Sequence, residues 1–198
     1  MSRGGGGYPA RVHPAAVAAY HGPKVLRAIV TLRLRGIHAG RRPWIRGAGP
    51  HLVAEGDVRL GRGVKLDGLM GRVELGAYRG GELKIGDGVY LNSGVSAVAV
   101  ERIEIGPHTR IGEYSAVFDS HLHQVEEGCA IERAPVRIGR NVWIGRHVTV
   151  MPGVEIGDHS VIGAGSVVTS SVPPRTLAAG VPARVVRRLH ADDAWIRR

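Results

Sequence analysis

The chain has 198 residues, with 30 glycines, 11 prolines and 43% apolar side chains. This length provides one domain with a full core and excludes two ordinary domains. Aromatic residues make up 5% of the chain and Phe118 is the only phenylalanine, so we expect a core of small and β-branched side chains. The apolar content excludes a disordered chain.

The formal net charge of +10 lies at the two ends of the chain. Residues 1–50 contain nine Lys or Arg and no acidic residue, residues 51–183 contain thirteen basic and fifteen acidic residues, and residues 184–198 contain five basic and two acidic residues. Because 24 of the 27 cations are arginine, compositional bias explains the charge as well as a phosphate-binding surface does. We therefore expect no nucleic-acid partner, while a peripheral contact between the basic arm and an anionic membrane stays open.

The cysteine count and the N-terminal composition bear on the cellular compartment. Cys129 is the only cysteine, which excludes an intrachain disulfide and a cysteine-based metal site. Glycines at positions 4–7 occupy the place of an early apolar region, and the apolar run 25–34 contains two arginines and is too short to span a bilayer. We therefore expect a cytoplasmic protein.

Residues 1–45 are predicted to form an N-terminal tail and a helical arm. The segment from His13 to Ile37 is typical of one or two helices, with Gly22 and Pro23 as the break. Its apolar residues would pack on the end of the following domain or on a neighbouring subunit.

A six-residue period predicts the fold of residues 46–183. The repeated aliphatic positions are Ile138, Ile144, Val150, Ile156, Ile162 and Val168, and glycine directly follows four of them. Each hexad supplies one short strand and one turn, and three hexads close a triangular coil of about eighteen residues. The aliphatic residues would stack inside the coil and the glycines would permit the turns. The pattern therefore predicts an all-β solenoid, a parallel β-helix of hexapeptide repeats.

The period is interrupted between Val117 and Ile138. We predict that the chain leaves the wall of the coil here as an extruded loop over residues 118–135, which contains His121 and His123. Such loops commonly carry function. After the coil, residues 184–198 are predicted to form a basic tail that ends in a short helix.

Three segments are characteristic of a known family: Pro135-Val-Arg-Ile-Gly-Arg-Asn-Val-Trp-Ile-Gly-Arg146, the run Val161-Ile-Gly-Ala-Gly-Ser-Val-Val-Thr169, and Ala179-Gly-Val-Pro-Ala-Arg184-Val-Val-Arg187. The chain resembles the hexapeptide-repeat acyltransferases, in the branch of maltose and galactoside, xenobiotic and exopolysaccharide O-acetyltransferases. The resemblance implies a left-handed β-helix, a homotrimer, and acetyl-CoA bound between two subunits. It also implies direct acetyl transfer to a hydroxyl of a saccharide or small natural product, without a metal.

The resemblance assigns the general base to a histidine of the loop. It implies His123 as the base and places His121 where related transferases have an acid. A neutral imidazole suits this task because its ordinary pKa is near 6.5, and general-base catalysis contributes roughly 10²–10⁴-fold. Asp119, Glu126 or Glu127 would orient the ring.

The resemblance also assigns binding residues. Asn92 and Trp143 would bind the acceptor, and Trp143 should point outward because it precedes an inward isoleucine. The donor contacts that carry over are Arg146, Ala164, Thr169, Arg184 and Arg187. The last two arginines suit the 3′-phosphate and pyrophosphate of CoA. The chain departs from the common pattern at Arg146, where a small residue is usual, and at Ser170, where a lysine is usual.

Three other functions compete with this interpretation. A zinc enzyme on the same coil needs two histidines five residues apart, and none of the ten histidines forms such a pair. A non-catalytic scaffold would be favoured by loss of the loop histidine or of the arginine tail, and both are present. An N-acyltransferase for an amino sugar needs a base in a similar place, so the sequence separates it poorly from an O-acetyltransferase.

Overall fold

The computed structural model describes residues 14–197, and side chains from residue 22 onward. Residues 1–13, which belong to the predicted N-terminal tail and arm, lie outside the described residues. Helix α1 (Pro14–Arg33) continues through Gly22 and Pro23, so the arm is one helix rather than two. No helix among the described residues has the length and apolar character that a membrane span requires.

Helix α1 closes the N-terminal end of the coil of its own chain. Ala28 and Leu32, one helical turn apart, are fully buried and belong to the same core as Ile45. The Arg27 side chain also donates a hydrogen bond to the Gly47 carbonyl at 2.8 Å. The apolar stripe of the arm therefore covers core side chains that would otherwise face water.

Six turns of short parallel strands follow the helix. The strands of the first three turns are β1 (His38–Ala39), β2 (Trp44–Gly47), β3 (His51–Ala54), β4 (Asp57–Leu60), β5 (Lys65–Gly68), β6 (Glu74–Ala77), β7 (Glu82–Ile85), β8 (Tyr90–Leu91) and β9 (Ser96–Ala99). The remaining strands are β10 (Arg102–Ile105), β11 (Arg110–Ile111), β12 (Ala116–Val117), β13 (Val136–Ile138), β14 (Trp143–Ile144), β15 (Thr149–Val150), β16 (Glu155–Ile156), β17 (Val161–Ile162), β18 (Val167–Val168), β19 (Thr176–Gly180) and β20 (Ala183–Arg188).

The strands form three sheets, which are the three faces of a triangular coil. Face A contains β1, β4, β7, β10, β13 and β16, and face C contains β3, β6, β9, β12, β15 and β18. Face B contains β2, β5, β8, β11, β14, β17, β19 and β20. Each turn of the chain contributes one strand to each face, so residues from successive turns stack directly above one another.

The core is a set of aliphatic columns inside this triangle. On face B the column consists of Ile45, Leu66, Leu91, Ile111, Ile144 and Ile162, which are paired in register from turn to turn. None of these side chains is more than 2% exposed. Burial of one such side chain stabilises the fold by about 1.5–3 kcal/mol. Glycine lets the turns approach closely, because a Cβ at Gly145 would lie 2.7 Å from the Ala164 backbone nitrogen.

The element boundaries differ from the prediction at both ends of the coil. The coil begins at His38, before the predicted boundary at residue 46, because β1 pairs with β4. The predicted short C-terminal helix is wrong for the described residues. Instead, β20 pairs antiparallel with β19. The β-branched Val185 and Val186 suit a strand, and β20 provides partners for backbone groups of β19 that would otherwise form an open sheet edge.

The tail after β20 folds back along the corner between faces A and B. The buried amide of Asn141 donates to the Trp195 carbonyl at 2.9 Å and accepts from the Arg197 backbone N–H at 2.8 Å. The same amide nitrogen lies 2.9 Å from Nδ1 of the buried His159. An amide donor at this distance requires an unprotonated Nδ1, so the contact favours the neutral imidazole.

The His159 contact predicts a pH dependence of stability. Burial lowers the pKa of His159 from 6.5, and the nearby Arg140 and Arg175 lower it further. The unfolded chain therefore binds a proton first as the pH falls below about 6.5, so this stabilising contribution is present above that pH and is lost on acidification. We expect the midpoint temperature of thermal unfolding to decrease when the pH is lowered from about 7.5 to about 5.5.

The control variant is His159→Asn, which removes the titrating ring. Asparagine tolerates the left-handed backbone of this position, where φ is +61°. The variant should lose less thermal stability than the parent over the same pH interval. An equal loss in both proteins would show that His159 does not carry the effect.

Candidate functional site

A groove of about 750 Å³ runs along the outer surface of face B. The groove is lined by Tyr90, Asn92, Arg110, Ile111, Gly112, Glu113, Trp143, Gly145, Arg146, Val161, Ile162, Gly163, Ala164, Leu177 and Arg197. Four residues predicted to bind substrates lie together here: Asn92, Trp143, Arg146 and Ala164. His121, His123, Thr169, Arg184 and Arg187 are not part of its lining.

Strand alternation explains which side chains face this groove. Trp143 precedes the buried Ile144, points outward and is 47% exposed, as the sequence predicted. Arg110 and Val161 are its register partners on the two neighbouring strands. The floor of the groove is therefore a ladder of stacked outward side chains, one from each turn.

Buried charges support the N-terminal end of the groove. Asp67 is 1% exposed, forms an ion pair with Arg46, and accepts a hydrogen bond from the Tyr90 hydroxyl at 2.8 Å. Burial acts to raise the pKa of Asp67, but hydrogen bonds from Arg46 and Tyr90 outweigh it and leave that pKa lowered. Burial, together with the bond to Asp67, raises the pKa of Tyr90 to about 12. Tyr90 therefore stays protonated, and the Asp67 bond fixes its hydroxyl in place.

Asn92 has one half of its amide engaged by its own chain. Its Oδ1 accepts a hydrogen bond from the Ser93 backbone N–H at 2.9 Å. This bond orients the side chain and leaves the amide N–H groups for an acceptor atom in the groove. Asn92 is therefore held in place at the groove by its own backbone neighbour.

Arg146 pairs with a carboxylate of the preceding turn. Its Nε lies 3.3 Å from Oε2 of Glu113, and both residues line the groove. The pair offsets the charge of Arg146 at close range. Ala164 is exposed beside it and leaves backbone groups accessible.

The loop histidines lie on the opposite side of the coil from the groove. β12 ends at Val117 on face C and β13 begins at Val136 on face A, so the loop leaves from the corner that faces away from face B. Nε2 of His121 lies 3.4 Å from Oε2 of Glu132, and the ring is 30% exposed. His123 is exposed and forms no ion pair within the described part of the chain.

Asp119 anchors the loop and does not orient a histidine. Its carboxylate is 1% exposed and accepts hydrogen bonds from the backbone N–H groups of Val100, at 3.0 Å, and Glu101, at 2.8 Å. The carboxylate beside His121 is Glu132, which sequence reasoning missed because it lies eleven residues along the chain and reaches His121 only when the loop folds back. The expectation that Asp119 orients an imidazole is therefore wrong.

The predicted donor-binding arginines lie on the last strand. Arg184 and Arg187 are exposed. Arg184 donates a hydrogen bond to the Ala183 carbonyl at 3.0 Å, and Arg187 donates one to the Arg188 carbonyl at 3.3 Å. Arg187 is the register partner of Leu177, which lines the groove. Cross-strand partners project from the same face, so Arg187 lies beside the C-terminal end of the groove. Thr169 is exposed after β18 on face C.

Comparison with known proteins identifies the repeat. Residues 135–170 match the family model described as "Bacterial transferase hexapeptide (six repeats)". These residues are therefore similar to the hexapeptide repeats of bacterial transferases. The hexapeptide-repeat chain is 40% identical over 117 residues to galactoside O-acetyltransferase of Escherichia coli (strain K12). The match covers 58% of this chain and 58% of that relative, so the chain spans little more than half the length of the relative.

Solved structures share the coil. A hexapeptide-repeat-containing acetyltransferase of Vibrio cholerae O1 biovar eltor, complexed with acetyl coenzyme A, is 25% identical with a TM-score of 0.59, over 89% of each chain. An N-acyltransferase of Bacillus cereus, complexed with coenzyme A and an amino-sugar nucleotide, is 19% identical with a TM-score of 0.68, over 82% of this chain and 90% of that chain. The second likeness shows the fold alone. The prediction of a left-handed parallel β-helix of hexapeptide repeats is confirmed.

Proposed function

We propose that the protein is an acetyl-CoA-dependent O-acetyltransferase whose acceptor is a hydroxyl group of a saccharide or small natural product. The observation that carries the proposal is the face B groove, which gathers Asn92, Trp143 and Ala164 in a chain that is 40% identical to a galactoside O-acetyltransferase. Within the described residues, no group of three or more His, Cys, Asp or Glu is arranged to hold a metal ion. The proposed chemistry uses side chains of the protein alone.

The groove suits the long acyl donor. Trp143 supplies an apolar wall, and Gly163 and Ala164 leave backbone groups open to the amides of the pantetheine arm. Arg187, at the C-terminal end of the groove, and Arg184 on the same strand would bind CoA phosphates through charge-assisted hydrogen bonds. This arrangement would direct the thioester toward Asn92 and the acceptor.

The proposed reaction is direct transfer. A loop imidazole removes the proton of the acceptor hydroxyl while the hydroxyl oxygen attacks the thioester carbonyl carbon. The carbon–sulfur bond then breaks, CoA leaves as the thiolate, and the imidazolium returns its proton to sulfur. A hydroxyl is a poor nucleophile at neutral pH, so removing its proton in the transition state accelerates the attack.

The positions of the loop and the groove in one chain favour an active site that two subunits share. The loop histidines and the groove lie on opposite sides of the coil, so the loop of one subunit would complete the groove of its neighbour. Face C suits a subunit contact because its outward side chains are small and uncharged in the later turns, as at Ser96, Ala116, Thr149 and Val167. In a homotrimer each subunit makes this head-to-tail contact with the next one, and the third contact closes the ring.

The proposal is tested by incubating the protein with acetyl-CoA and a panel of neutral sugars, amino sugars and small alcohols. Transfer to a hydroxyl is the expected result. Transfer to amines alone would replace the proposal by the N-acyltransferase alternative. Failure to bind CoA and to acetylate any acceptor would leave the scaffold interpretation.

Replacing Arg187 by Ala should raise the KM for acetyl-CoA about ten-fold or more, because hydrogen bonds to charged groups contribute roughly 1.5–3 kcal/mol. The KM for the acceptor should stay near the parental value. Arg188→Ala is the matched control, since Arg188 neighbours Arg187 on β20 and pairs with the buried Thr176 instead of a groove residue. If both variants raise the KM equally, general charge and not a phosphate contact is responsible.

A further inference from the structure

Two arginines of the groove have no carboxylate partner among residues 22–197. Arg110 and Arg197 both line it, and neither forms an ion pair in that part of the chain. The remaining arginine of the groove, Arg146, is neutralised by Glu113, the one carboxylate in the described lining. The groove therefore carries an excess of two positive charges.

Arg197 reaches the groove because the tail holds its backbone in place. The Arg197 N–H donates to Asn141, and the guanidinium lies 4.8 Å from the centre of the Trp195 ring. Its Nη2 makes a long contact of 3.4 Å with the His159 carbonyl, whereas its Nε is shielded from solvent and has no hydrogen-bond partner. A buried donor on a cation that lacks a partner is costly, so an anion at this position would be stabilised. Burial also lowers the pKa of Arg197.

Arg110 faces the same space from the floor of the groove. It stands on β11 between Tyr90 and Trp143 in the outward ladder. It also lines an adjoining cavity of about 820 Å³, whose other lining residues are Ala194, Trp195, Ile196 and Arg197 of the tail. One guanidinium from the coil and one from the tail thus border both the groove and the adjoining cavity.

We propose that Arg110 and Arg197 form an oxyanion-binding subsite that takes a carboxylate or phosphate group of a substrate. Planar guanidinium groups bind such anions through paired, charge-assisted hydrogen bonds, and a partly desolvated site strengthens them. The anion is an acidic group of the acceptor or a phosphate of the donor. The assignment of the anion to a reactant rests on the proposed acetyltransferase function, whereas anion binding itself does not.

The first experiment measures anion binding without catalysis. Inorganic phosphate is titrated into the full-length protein, with tryptophan fluorescence as the readout because Trp143 and Trp195 adjoin the two arginines. Arg110→Gln and Arg197→Gln should each weaken phosphate binding about ten-fold or more. Arg137→Gln, on face A beside Glu104, is the control and should bind as the parent does. Parental phosphate affinity in both groove variants, with unchanged thermal stability, would overturn the proposal.

The second experiment identifies the source of the anion. If the acceptor carries it, the two variants lose activity on a uronic acid more than on the matching neutral sugar and bind CoA normally. If the donor carries it, both variants bind CoA more weakly and bind pantetheine as the parent does. Either result supports the subsite. Arginine-dependent phosphate binding in a protein that transfers no acetyl group would keep the subsite and reject the proposed function.

Discussion

Replacement of His121 by Ala is expected to lower turnover about 10²-fold or more, with CoA affinity near the parental value. A general base acts on the proton of the acceptor in the transition state, so its loss lowers the rate and leaves donor binding intact. The resemblance to related transferases favours His123. We nevertheless propose His121 as the base, because Glu132 lies 3.4 Å from its ring and would orient the imidazole.

His123→Ala is the matched control for this prediction. His123 is exposed and lacks an ion pair among the described residues, so its removal should cost distinctly less than removal of His121. The opposite outcome, with His123→Ala inactive and His121→Ala active, would return the role of base to His123. Near-parental rates in both variants would reject a loop histidine as the base.

A mixing experiment tests whether two subunits share one site. Asn92→Ala impairs the groove and His121→Ala impairs the loop, so each variant alone should turn over slowly. When the two are refolded together, some assemblies contain an intact groove beside an intact loop. Recovery of activity is expected. No recovery, in a preparation shown to contain mixed assemblies, would place the groove and its base within one subunit.

Replacement of Ile144 by Ala should destabilise the protein by about 2–5 kcal/mol, because the cavity opens in a column that other side chains fill on both sides. Ile144 is fully buried between Ile111 and Ile162. Ile144→Val removes less volume and should cost about 0.5–1.5 kcal/mol. Urea unfolding at one fixed protein concentration measures both, since the proposed homotrimer would make stability depend on concentration.

The neighbouring position provides the control. Trp143 is adjacent in sequence but 47% exposed, so Trp143→Ala should change the free energy of unfolding much less than Ile144→Ala. The same Trp143 variant should weaken donor or acceptor binding if the groove is the active site. A larger loss of stability for Trp143→Ala would contradict the alternation on which the groove description depends.

The coil could be predicted because its information is local and repeated. A period of six places Ile144 inside and Trp143 outside without knowledge of any distant contact. The same regularity located the extruded loop, since the period stops after Val117 and resumes at Ile138. The resemblance implied that Asn92 and Trp143 share one site, and the groove brings them together.

The remaining features depend on contacts between residues distant in sequence, which the six-residue period does not predict. Asp67 meets Arg46 and Tyr90 across successive turns, and each of these residues alone has the appearance of an ordinary polar side chain. The tail brings Arg197 beside Arg110 only because β20 turns back on β19, where a helix was predicted. The sequence alone does not show which surface the charged residues of a short basic tail face, because this depends on the path of the tail over the coil.

The base of the extruded loop is held by contacts to the coil and by contacts between the two ends of the loop. Asp119 binds two backbone N–H groups of the wall, Ala134 donates to the Asp119 carbonyl at 2.9 Å, and Ser120 and Arg133 form an antiparallel bridge. Because this clamp closes below the loop, the segment between the bridge residues can be exchanged without altering the coil. We expect such a scaffold to accept loops of other lengths by grafting, while the face B groove on the other side of the coil keeps its lining.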